Sequence, residues 1–575
     1  MLNEAYANSA LSISLPTDTE YANVSSDIES RILTLFTTPE GTTLGERQVE
    51  DNITTMCKQP AEEEPDPESK MAAIIQEFLR QEPVSSDVRF RDLLPAFYET
   101  AIPDEPGDAV KYFDYLRRNI VRHSTNTGSP RCIGHMTSRL PSFVNQIASL
   151  IVAMNQNVVK AETAKALTPY ERQSLAMLHR LVFERSEAFY SEHVQNVGSS
   201  LGIICSGGTI ANLTALWCAR NRALEARPSV QGVEQAGVEA ALHAHDLRKV
   251  AVVGSALMHY SIEKAVGLLG IGCSNLVRIP VDSSNRVQVK KVEGAIRDVE
   301  ASGGKVIALI GVAGTTDTGA VDPLPELADL AESHEIHFHV DAAWGGPILF
   351  SRQHRNKLRG IERASSITID GHKQMYLPVG IGITLFRDPL AAATIEKTAQ
   401  YIIRKSSVDI GRRSVEGSRP ANALYLHAGF NIIGARGYEY LIDQGVEKAR
   451  YLAARILSLP QFELISEPQM NIVVYRYIPA SLRAKALRKE LSRSENQEIS
   501  ECNTRLQKLQ RQTGRSFVSR TSLRVLSYGD DPITVLRVVL ANPLTTLAHL
   551  DDILDEQTRI GSTLCSETTY AQSAD

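Results

Sequence analysis

The chain has 575 residues, too many for one hydrophobic core, because single cores stop growing at about 250–300 residues. We therefore expect one large domain, a smaller domain and some peripheral segments. Hydrophobic residues make up 43% and charged residues 22% of the chain, a globular composition that excludes a disordered or fibrous protein. The net charge of -6 argues against a nucleic-acid-binding protein with a broad basic face.

The cysteines and the hydropathy pattern bear on the compartment. Seven cysteines are scattered without a CxxC pair, which predicts reduced thiols and argues against a disulfide framework or a zinc site. The first basic residue is Arg31, so no secretory signal is expected, and no apolar run approaches the roughly 18–20 residues of a membrane helix. These features predict a cytoplasmic protein without a membrane partner.

Changes in composition divide the chain into five parts. Residues 1–70 are polar and end in an acidic run, which predicts an arm or linker that is either poorly ordered or packed on a partner subunit. Residues 71–150 carry helical periodicity. We expect a large domain over 151–414, a smaller α+β domain over 415–560 and a tail over 561–575.

The large domain alternates short apolar runs with amphipathic segments. The runs are LGIIC, VAVVGS, VIALIGVAG, IHFHVDAAW and SSITIDG. Nearly continuous apolar strands separated by helices predict an α/β fold with a mostly parallel sheet that is covered on both faces. Ligands on such sheets bind at the carboxyl ends of the strands, where the polar residues of interest fall.

Lys373 follows a predicted strand in SITIDGHKQMYLP. A lysine in an apolar wall loses its proton more easily, because burial disfavours the ammonium, and can then form a Schiff base. The alternative is an ordinary lysine whose amine reaches the surface.

Asp341 ends another predicted strand, IHFHVDAAW. A buried carboxylate needs compensation, and a protonated pyridine nitrogen would provide it and act as an electron sink. Two alternatives remain. Asp341 is a capped structural carboxylate, or it binds a metal with His337 and His339, which alternate with it on one strand face.

An anion site is predicted in CSGGTIANLTAL. Gly207 and Gly208 allow a tight turn, and Thr209 begins a helix whose free amides attract an anion. An ordinary strand-to-helix turn is the alternative, and the motif is neither a Walker loop nor GxGxxG.

Two further motifs place polar side chains at strand ends. His259 precedes a helix in LMHYSIEKA, where its ring can lie flat on an aromatic cofactor ring. The alternative is a purely structural histidine. Thr315 and Thr316 occupy a predicted turn from which a hydroxyl can reach a ligand.

Together these motifs resemble those of the pyridoxal-5′-phosphate (PLP)-dependent group II amino-acid decarboxylases, relatives of glutamate decarboxylase and aromatic amino-acid decarboxylase. The resemblance covers roughly residues 90–560 and is carried by SGGTIANLTAL, HYSIEKA, GVAGTTDTGAVDP, HVDAAWGGP, DGHKQMYLPVG, EGSRPA and LRVVLANPLTT. Within that family the chain looks most similar to the bacterial pyridoxal-dependent aspartate 1-decarboxylases.

The resemblance implies PLP as cofactor, the fold-type I (aspartate-aminotransferase-like) architecture with a smaller C-terminal domain, and a homodimer with active sites at the subunit interface. By motif match, Lys373 forms the imine with the cofactor and Asp341 pairs with the pyridine nitrogen, while His259 stacks on one ring face and Ala343 packs on the other. These matches make Lys373, His259 and Asp341 the expected catalytic residues. The remaining cofactor contacts implied are Gly207, Gly208 and Thr209 at the phosphate, His372 beside it and Thr315 near the phenolic oxygen.

The resemblance also suggests substrate ligands. Arg537 matches an arginine that binds the side-chain carboxylate in glutamate decarboxylases, although relatives acting on aromatic substrates share it and it can be structural. His135 falls where glutamate decarboxylase has a ligand of the distal carboxylate.

Two features depart from the family pattern. Asp370 and Gly371 stand where the family has Ser or Asn, and an acid beside a phosphate is repulsive, so Asp370 is expected to point away or to be paired. The family's mobile loop carries a proton-donating tyrosine, but the matching stretch, Tyr401 to Arg413, has a tyrosine only at its start. His259 is the alternative proton donor.

The implied reaction is α-decarboxylation of a small acidic L-amino acid, first L-aspartate to β-alanine and CO₂ for pantothenate synthesis. Glutamate decarboxylation to GABA and cysteine sulfinate decarboxylation are the alternatives. A different PLP reaction and a non-catalytic dimer of this fold also remain open. The alternative from a different class of enzyme is a metal-dependent lyase or hydrolase that uses His337, His339 and Asp341.

Overall fold

The computed structural model describes residues 26–37, 66–228, 230–398 and 407–572, and its strands form two β-sheets. The larger sheet has seven strands in the order β1-β7-β6-β5-β4-β2-β3, and its strands β2 to β6 pair in parallel while β7 is antiparallel to both neighbours. The strands are β1 Gly202–Cys205, β2 Lys249–Ser255, β3 Leu276–Ile279, β4 Gly304–Val312, β5 His337–Asp341, β6 Ser366–Asp370 and β7 Gly382–Phe386. The expected α/β fold with a mostly parallel sheet is confirmed.

Helices cover both faces of this sheet, which explains why its strands are apolar almost throughout. In chain order the helices up to β7 are α1 Ser26–Phe36, α2 Pro67–Leu79, α3 Phe90–Leu93, α4 Ala109–Asn119, α5 Phe143–Met154, α6 Ala161–Ala164, α7 Leu167–Phe183, α8 Glu187–His193, α9 Gly208–Ala223, α10 Val233–Ala244, α11 Tyr260–Leu268, α12 Val289–Ala301 and α13 Leu324–Ser333. Helix α9 crosses the sheet close to the carboxyl ends of its central strands and therefore contributes to the site described below.

The smaller sheet is antiparallel, in the order β10-β11-β9-β8, and carries the second core. Its strands are β8 Phe462–Leu464, β9 Ile472–Tyr477, β10 Ser519–Arg524 and β11 Pro532–Val539. The accompanying helices are α14 Ala423–Ile432, α15 Gly434–Ser458, α16 Arg483–Leu487, α17 Arg493–Thr513 and α18 Leu547–Gln572. Helix α18 runs through the expected boundary at residue 560, so the predicted tail begins inside a helix.

Part of the predicted N-terminal arm belongs to the main core. Helix α1 buries Ile32 and Phe36, and the ring of Phe36 meets that of Tyr376 edge-on at 5.3 Å between centroids. The expectation of one polar arm over residues 1–70 is therefore wrong for this stretch, because the apolar side of α1 packs on the same chain. Residues 1–25 and 38–65 lie outside the described residues.

In the described part of the chain, no helix combines the length and apolar composition needed to cross a bilayer. The same residues include six cysteines, none of which forms a disulfide bond: Cys132, Cys205, Cys218, Cys273, Cys502 and Cys565.

Candidate active site

A cavity of about 560 Å³ opens at the carboxyl ends of the central parallel strands. Asp341 is the last residue of β5, Asp370 is the last residue of β6, and Lys373 follows one turn later. Of the side chains and glycines predicted from the sequence, all except Thr315 line this cavity: His135, Gly207, Gly208, Thr209, His259, Asp341, Ala343, His372, Lys373 and Arg537. Residues from six separate segments thus meet where parallel sheets bind ligands.

Lys373 is held by an ion pair. Its Nζ lies 3.0 Å from Oδ2 of Asp370, and both side chains are largely buried. The other carboxylate oxygen of Asp370, Oδ1, is buried without a hydrogen-bond partner. Asp370 is therefore paired and points at the base of the cavity, toward the amine that would carry a cofactor.

Asp341 is a buried carboxylate that is only partly satisfied by the protein. Its Oδ1 accepts from the backbone N–H of Ala343 at 3.1 Å, and its Oδ2 accepts from Nδ2 of Asn212 at 2.9 Å. Among the described residues no lysine or arginine forms an ion pair with it. A carboxylate with two neutral donors and no cation is a suitable partner for a protonated ring nitrogen.

The anion cradle forms where β1 turns into α9. Gly207 has a φ of 149°, which favours glycine, and it precedes the free amides at the start of α9. A Cβ atom at Gly208 would lie 2.8 Å from Oδ2 of Asp370, so only glycine fits beside that carboxylate. The ring of His372 closes the same side, with Nδ1 donating to the carbonyl of Ile381 at 2.9 Å.

His259 caps α11 from the cavity wall. Its Nδ1 accepts from the backbone N–H of Ser261 at 3.3 Å and lies 2.9 Å from the hydroxyl of Ser261. Burial lowers the pKa of His259, although the negative charge of Asp341 opposes this effect. The half-buried ring is therefore neutral at pH 7.

Arg537 on β11 reaches the cavity from the smaller sheet. Its Nε donates to the carbonyl of Thr316 at 2.7 Å and its Nη1 to the hydroxyl of Ser519 at 3.3 Å, but its Nη2 is buried without a partner. Burial lowers the pKa of Arg537 to about 10. Because an unmade hydrogen bond from a buried charged group is costly, this geometry favours binding of an anion.

His135 stands at the exposed edge of the cavity, where its Nδ1 lies 2.7 Å from the hydroxyl of Thr137. Partial burial lowers the pKa of His135, as do the charges of Arg537 and His372. The cavity wall thus collects basic side chains at the end occupied by Arg537.

Three expectations need correction or restriction. Thr315 does not line the cavity, because its hydroxyl bonds that of Thr318 at 2.7 Å and accepts from Ala320; the neighbouring Thr316 lines it instead. Tyr401 lies outside the described residues. The end of the expected mobile loop, residues 407–413, is anchored, because Arg413 is buried and donates to the carbonyls of Ser199 and Gly198 at 2.9 Å.

The metal alternative does not fit the donor geometry. Among the described residues no three His, Cys, Asp or Glu side chains are arranged to hold a metal ion. Both ring nitrogens of His339 are engaged, Nδ1 with Ser366 at 2.8 Å and Nε2 with Asn212 at 3.0 Å. Nε2 of His337 also lies 2.7 Å from the hydroxyl of Ser366, so both histidines are tied to that serine.

PLP fits the residues that are present. The cavity offers an amine on Lys373, an anion cradle at Gly208, a carboxylate for the ring nitrogen at Asp341 and a neutral ring at His259. Asn212 and Ser261 form hydrogen bonds with these residues, but the sequence motifs did not predict their part in the site. The i, i+4 spacing of Gly208 and Asn212 on α9 was the available signal for Asn212.

Comparisons with known proteins agree with this geometry. The family model described as the pyridoxal-dependent decarboxylase conserved domain matches residues 92–478. Aspartate 1-decarboxylase of Aliivibrio fischeri is 43% identical over 497 residues, which cover 86% of this chain and 91% of that protein. L-2,4-diaminobutyrate decarboxylase of Rhizobium meliloti is 32% identical, with coverage of 64% and 68%. The crystal structure of mouse CSAD superposes with a TM-score of 0.75 at 26% identity, covering 86% of this chain and 98% of that one.

Proposed function

This chain belongs to the pyridoxal-dependent decarboxylases, carboxy-lyases with PLP as cofactor, and from that premise we propose that its substrate is L-aspartate, which it converts to β-alanine and CO₂. The observation that carries the choice of an acidic substrate is the unpartnered Nη2 of Arg537 in the cavity wall. The choice of aspartate among acidic substrates is supported by the 43% identity to the Aliivibrio fischeri enzyme.

Arg537 discriminates by charge. A side-chain carboxylate of the substrate would complete the hydrogen bonding of Nη2, and a hydrogen bond to a charged group contributes about 1.5–3 kcal/mol. A cationic side chain such as that of 2,4-diaminobutyrate would instead be repelled by the guanidinium of Arg537. His135 lies close enough to Arg537 for that charge to lower the pKa of His135. The wall therefore favours an acidic substrate over the basic one for which the Rhizobium meliloti relative is named.

When bound, PLP supplies a protonated ring that accepts the electron pair left by the departing CO₂. Lys373 would hold the cofactor covalently and release it to the substrate amine. Asp341, fixed by Ala343 and Asn212, would keep the ring nitrogen protonated. His259 and Ala343 would cover the two faces of the ring, and the N-terminus of α9 would hold its phosphate.

The carboxyl group that leaves is best placed away from Arg537. Neutral CO₂ is favoured over a carboxylate in a poorly solvated environment, whereas a guanidinium would stabilise the carboxylate. Arg537 therefore orients the substrate by its distal carboxylate and leaves the α-carboxylate unpaired. Among the residues described in the cavity, we assign His259 to pass a proton to Cα, and because its ring is neutral it would first have to take up a proton from solvent.

We also propose that the enzyme acts as a homodimer. Segment 88–120 exposes several large apolar side chains, among them Phe90, Tyr98 and Ile102 at 78%, 72% and 89% exposure. Exposed apolar area of this kind is typical of a protein interface. Light scattering coupled to gel filtration is expected to give twice the mass of 63.2 kDa. A mass equal to one chain would contradict the dimer.

Glutamate is the second candidate, since it differs from aspartate by one methylene, worth about 1–3 kcal/mol in a fitted pocket. Cysteine sulfinate also carries a distal anion. The test is to supply purified protein and PLP with each of the three acids separately and to identify the amine formed. β-Alanine is expected to dominate, consistent with a cytoplasmic supply for pantothenate synthesis. GABA as the main product would reject aspartate.

A further inference from the structure

We propose that Asn212 is a positioning residue whose amide fixes the orientation of Asp341 and the protons of His339 and His259 through one directed chain of hydrogen bonds. This proposal rests on the assignment of Asp341 to the cofactor's ring nitrogen. It does not depend on which amino acid is the substrate.

Every hydrogen-bonding atom of the Asn212 side chain is engaged. The residue lies on α9 and is fully buried, with Nδ2 donating to Oδ2 of Asp341 at 2.9 Å and to the hydroxyl of Ser261 at 2.9 Å. Its Oδ1 lies 3.0 Å from Nε2 of His339. Three elements of the fold, β5, α9 and α11, are thus joined at one amide.

The carboxylate sets the direction of the chain. An ionised Asp341 only accepts, so the amide nitrogen of Asn212 faces it and the amide oxygen faces His339. An amide oxygen also only accepts, so Nε2 of His339 carries a proton and donates. Burial lowers the pKa of His339 to about 4, so the ring is neutral and its Nδ1 accepts from the hydroxyl of Ser366 at 2.8 Å. The oxygen of Ser366 then accepts from Nε2 of His337 at 2.7 Å.

The second arm reaches the cavity. Because Asn212 donates to the oxygen of Ser261, the hydroxyl hydrogen of Ser261 is free to point at Nδ1 of His259, 2.9 Å away. The backbone N–H of Ser261 also donates to that nitrogen. Nδ1 of His259 is therefore an acceptor, and the proton of the neutral ring is on Nε2.

This arrangement suits the chemistry of the site. A protonated imidazole stacked on a protonated pyridine ring would repel it, whereas a neutral one does not. The same amide that would hold the carboxylate toward the ring nitrogen also directs the hydroxyl of Ser261 at Nδ1 of His259, which disfavours protonation there. The titratable groups that surround Asp341 are His259, His339, Lys373 and Asp370.

The test uses PLP alone, without any amino-acid substrate, so that an error in the proposed substrate cannot affect it. The dissociation constant of PLP is measured between pH 6 and 8.5 for the wild type, Asn212→Asp and Asn212→Leu. The control is Asn221→Asp, because Asn221 is also buried on α9 and donates to a carboxylate, that of Glu234, at 2.9 Å.

Asn212→Asp removes the donor and places a second carboxylate beside Asp341. We expect it to weaken PLP binding by about tenfold at pH 8 and to recover affinity toward pH 6, where a proton can be shared between the two acids. Asn212→Leu should weaken binding with the pH dependence of the wild type, and Asn221→Asp should match the wild type in both respects. Wild-type affinity and pH dependence in Asn212→Asp would overturn the proposal.

A second measurement does not depend on how the variants fold. Nitrogen-15 NMR of histidine-labelled wild-type holoenzyme reports which ring nitrogen carries the proton. We expect His259 and His339 to be protonated on Nε2 at pH 7.5. A proton on Nδ1 of either ring would overturn the directed chain.

Discussion

Nζ of Lys373 lies 3.0 Å from Oδ2 of Asp370, and the same carboxylate abuts Gly208 at the start of α9. The acid that departs from the family pattern is thus placed between the amine that binds the cofactor and the cradle that would hold its phosphate. It neutralises the lysine, and it adds a negative charge where another anion is expected.

Replacing Asp370 with Asn should tighten the binding of PLP. The change removes an anion from beside the expected position of the phosphate. It also leaves the ammonium of Lys373 without its counter-ion, which favours the neutral amine that forms the imine with PLP. Both effects favour the bound state. We expect the dissociation constant to fall by about tenfold, as for a gain of about 1.4 kcal/mol. Titration of cofactor-free protein by fluorescence measures this value. Asp388→Asn, which breaks a surface pair with Arg222, is the control, and weaker binding by Asp370→Asn would contradict the account.

Lys373→Ala should abolish the covalent link to PLP. After treatment with PLP and borohydride, mass spectrometry of the wild type is expected to show one added cofactor on the peptide that contains Lys373. The variant should show none and should not turn over substrate, because no other lysine lines the described cavity. A labelled variant would mean that another residue carries the cofactor.

The buried ion pair of Glu171 and Arg419 ties α7 to the segment that follows residue 406. Its two side chains are 2% and 6% exposed, and Nη1 of Arg419 lies 2.8 Å from Oε2 of Glu171. Glu171→Leu leaves an uncompensated buried charge and should lower the free energy of unfolding by about 3–5 kcal/mol.

The double variant Glu171→Leu/Arg419→Met removes both charges and should recover much of that loss, as judged from urea unfolding. Breaking the exposed pair of Arg89 and Asp92 is the control and should cost less than about 1 kcal/mol. A double variant less stable than the single one would contradict this reasoning.

His179 should make stability fall on mild acidification. It is buried, its Nε2 donates to the carbonyl of Phe386 at 3.1 Å, and burial lowers its pKa from 6.5 to about 4. Below pH 6.5 His179 of the unfolded chain binds a proton, whereas His179 of the folded chain stays neutral down to about pH 4. The contribution of His179 to the free energy of unfolding is therefore fully present above pH 6.5 and is lost as the pH falls.

We compare the wild type with His179→Gln, which does not titrate, by urea unfolding at pH 7.5 and 5.5. The destabilisation caused by the substitution should shrink by about 1 kcal/mol at the lower pH. A difference that stays constant or grows would show that the folded state accepts the proton.

The limits of the sequence are clear at β5. Alternation correctly predicted that His337, His339 and Asp341 share one face, because side-chain direction in a strand is local. What that face contacts is not local: Asn212 is 129 residues from Asp341, and no periodicity predicts that pairing. The metal alternative stayed open in the sequence because the contact of this strand face with Asn212 could not be predicted.

The orientation of side chains in turns and the packing of peripheral helices also could not be predicted from the sequence. Thr315 and Thr316 are adjacent, yet only Thr316 lines the cavity, because the backbone of the turn decides which hydroxyl faces inward. The apolar side of α1 is short and set in polar sequence, so its packing near Tyr376 could be found only from the tertiary structure. By contrast, the strand-end positions of Lys373 and Asp341 followed directly from the apolar runs that precede them.

We expect Arg537 to receive the distal carboxylate of the substrate. The most direct test compares kcat/KM for L-aspartate with that for L-asparagine, which has nearly the same shape without the charge, in the wild type and in Arg537→Gln. The wild type is predicted to prefer aspartate by about 100-fold or more, as for a charged hydrogen bond of about 3 kcal/mol. The variant should lose most of this preference through aspartate while keeping its rate with asparagine. An undiminished preference for aspartate in Arg537→Gln would show that Arg537 does not bind the distal carboxylate.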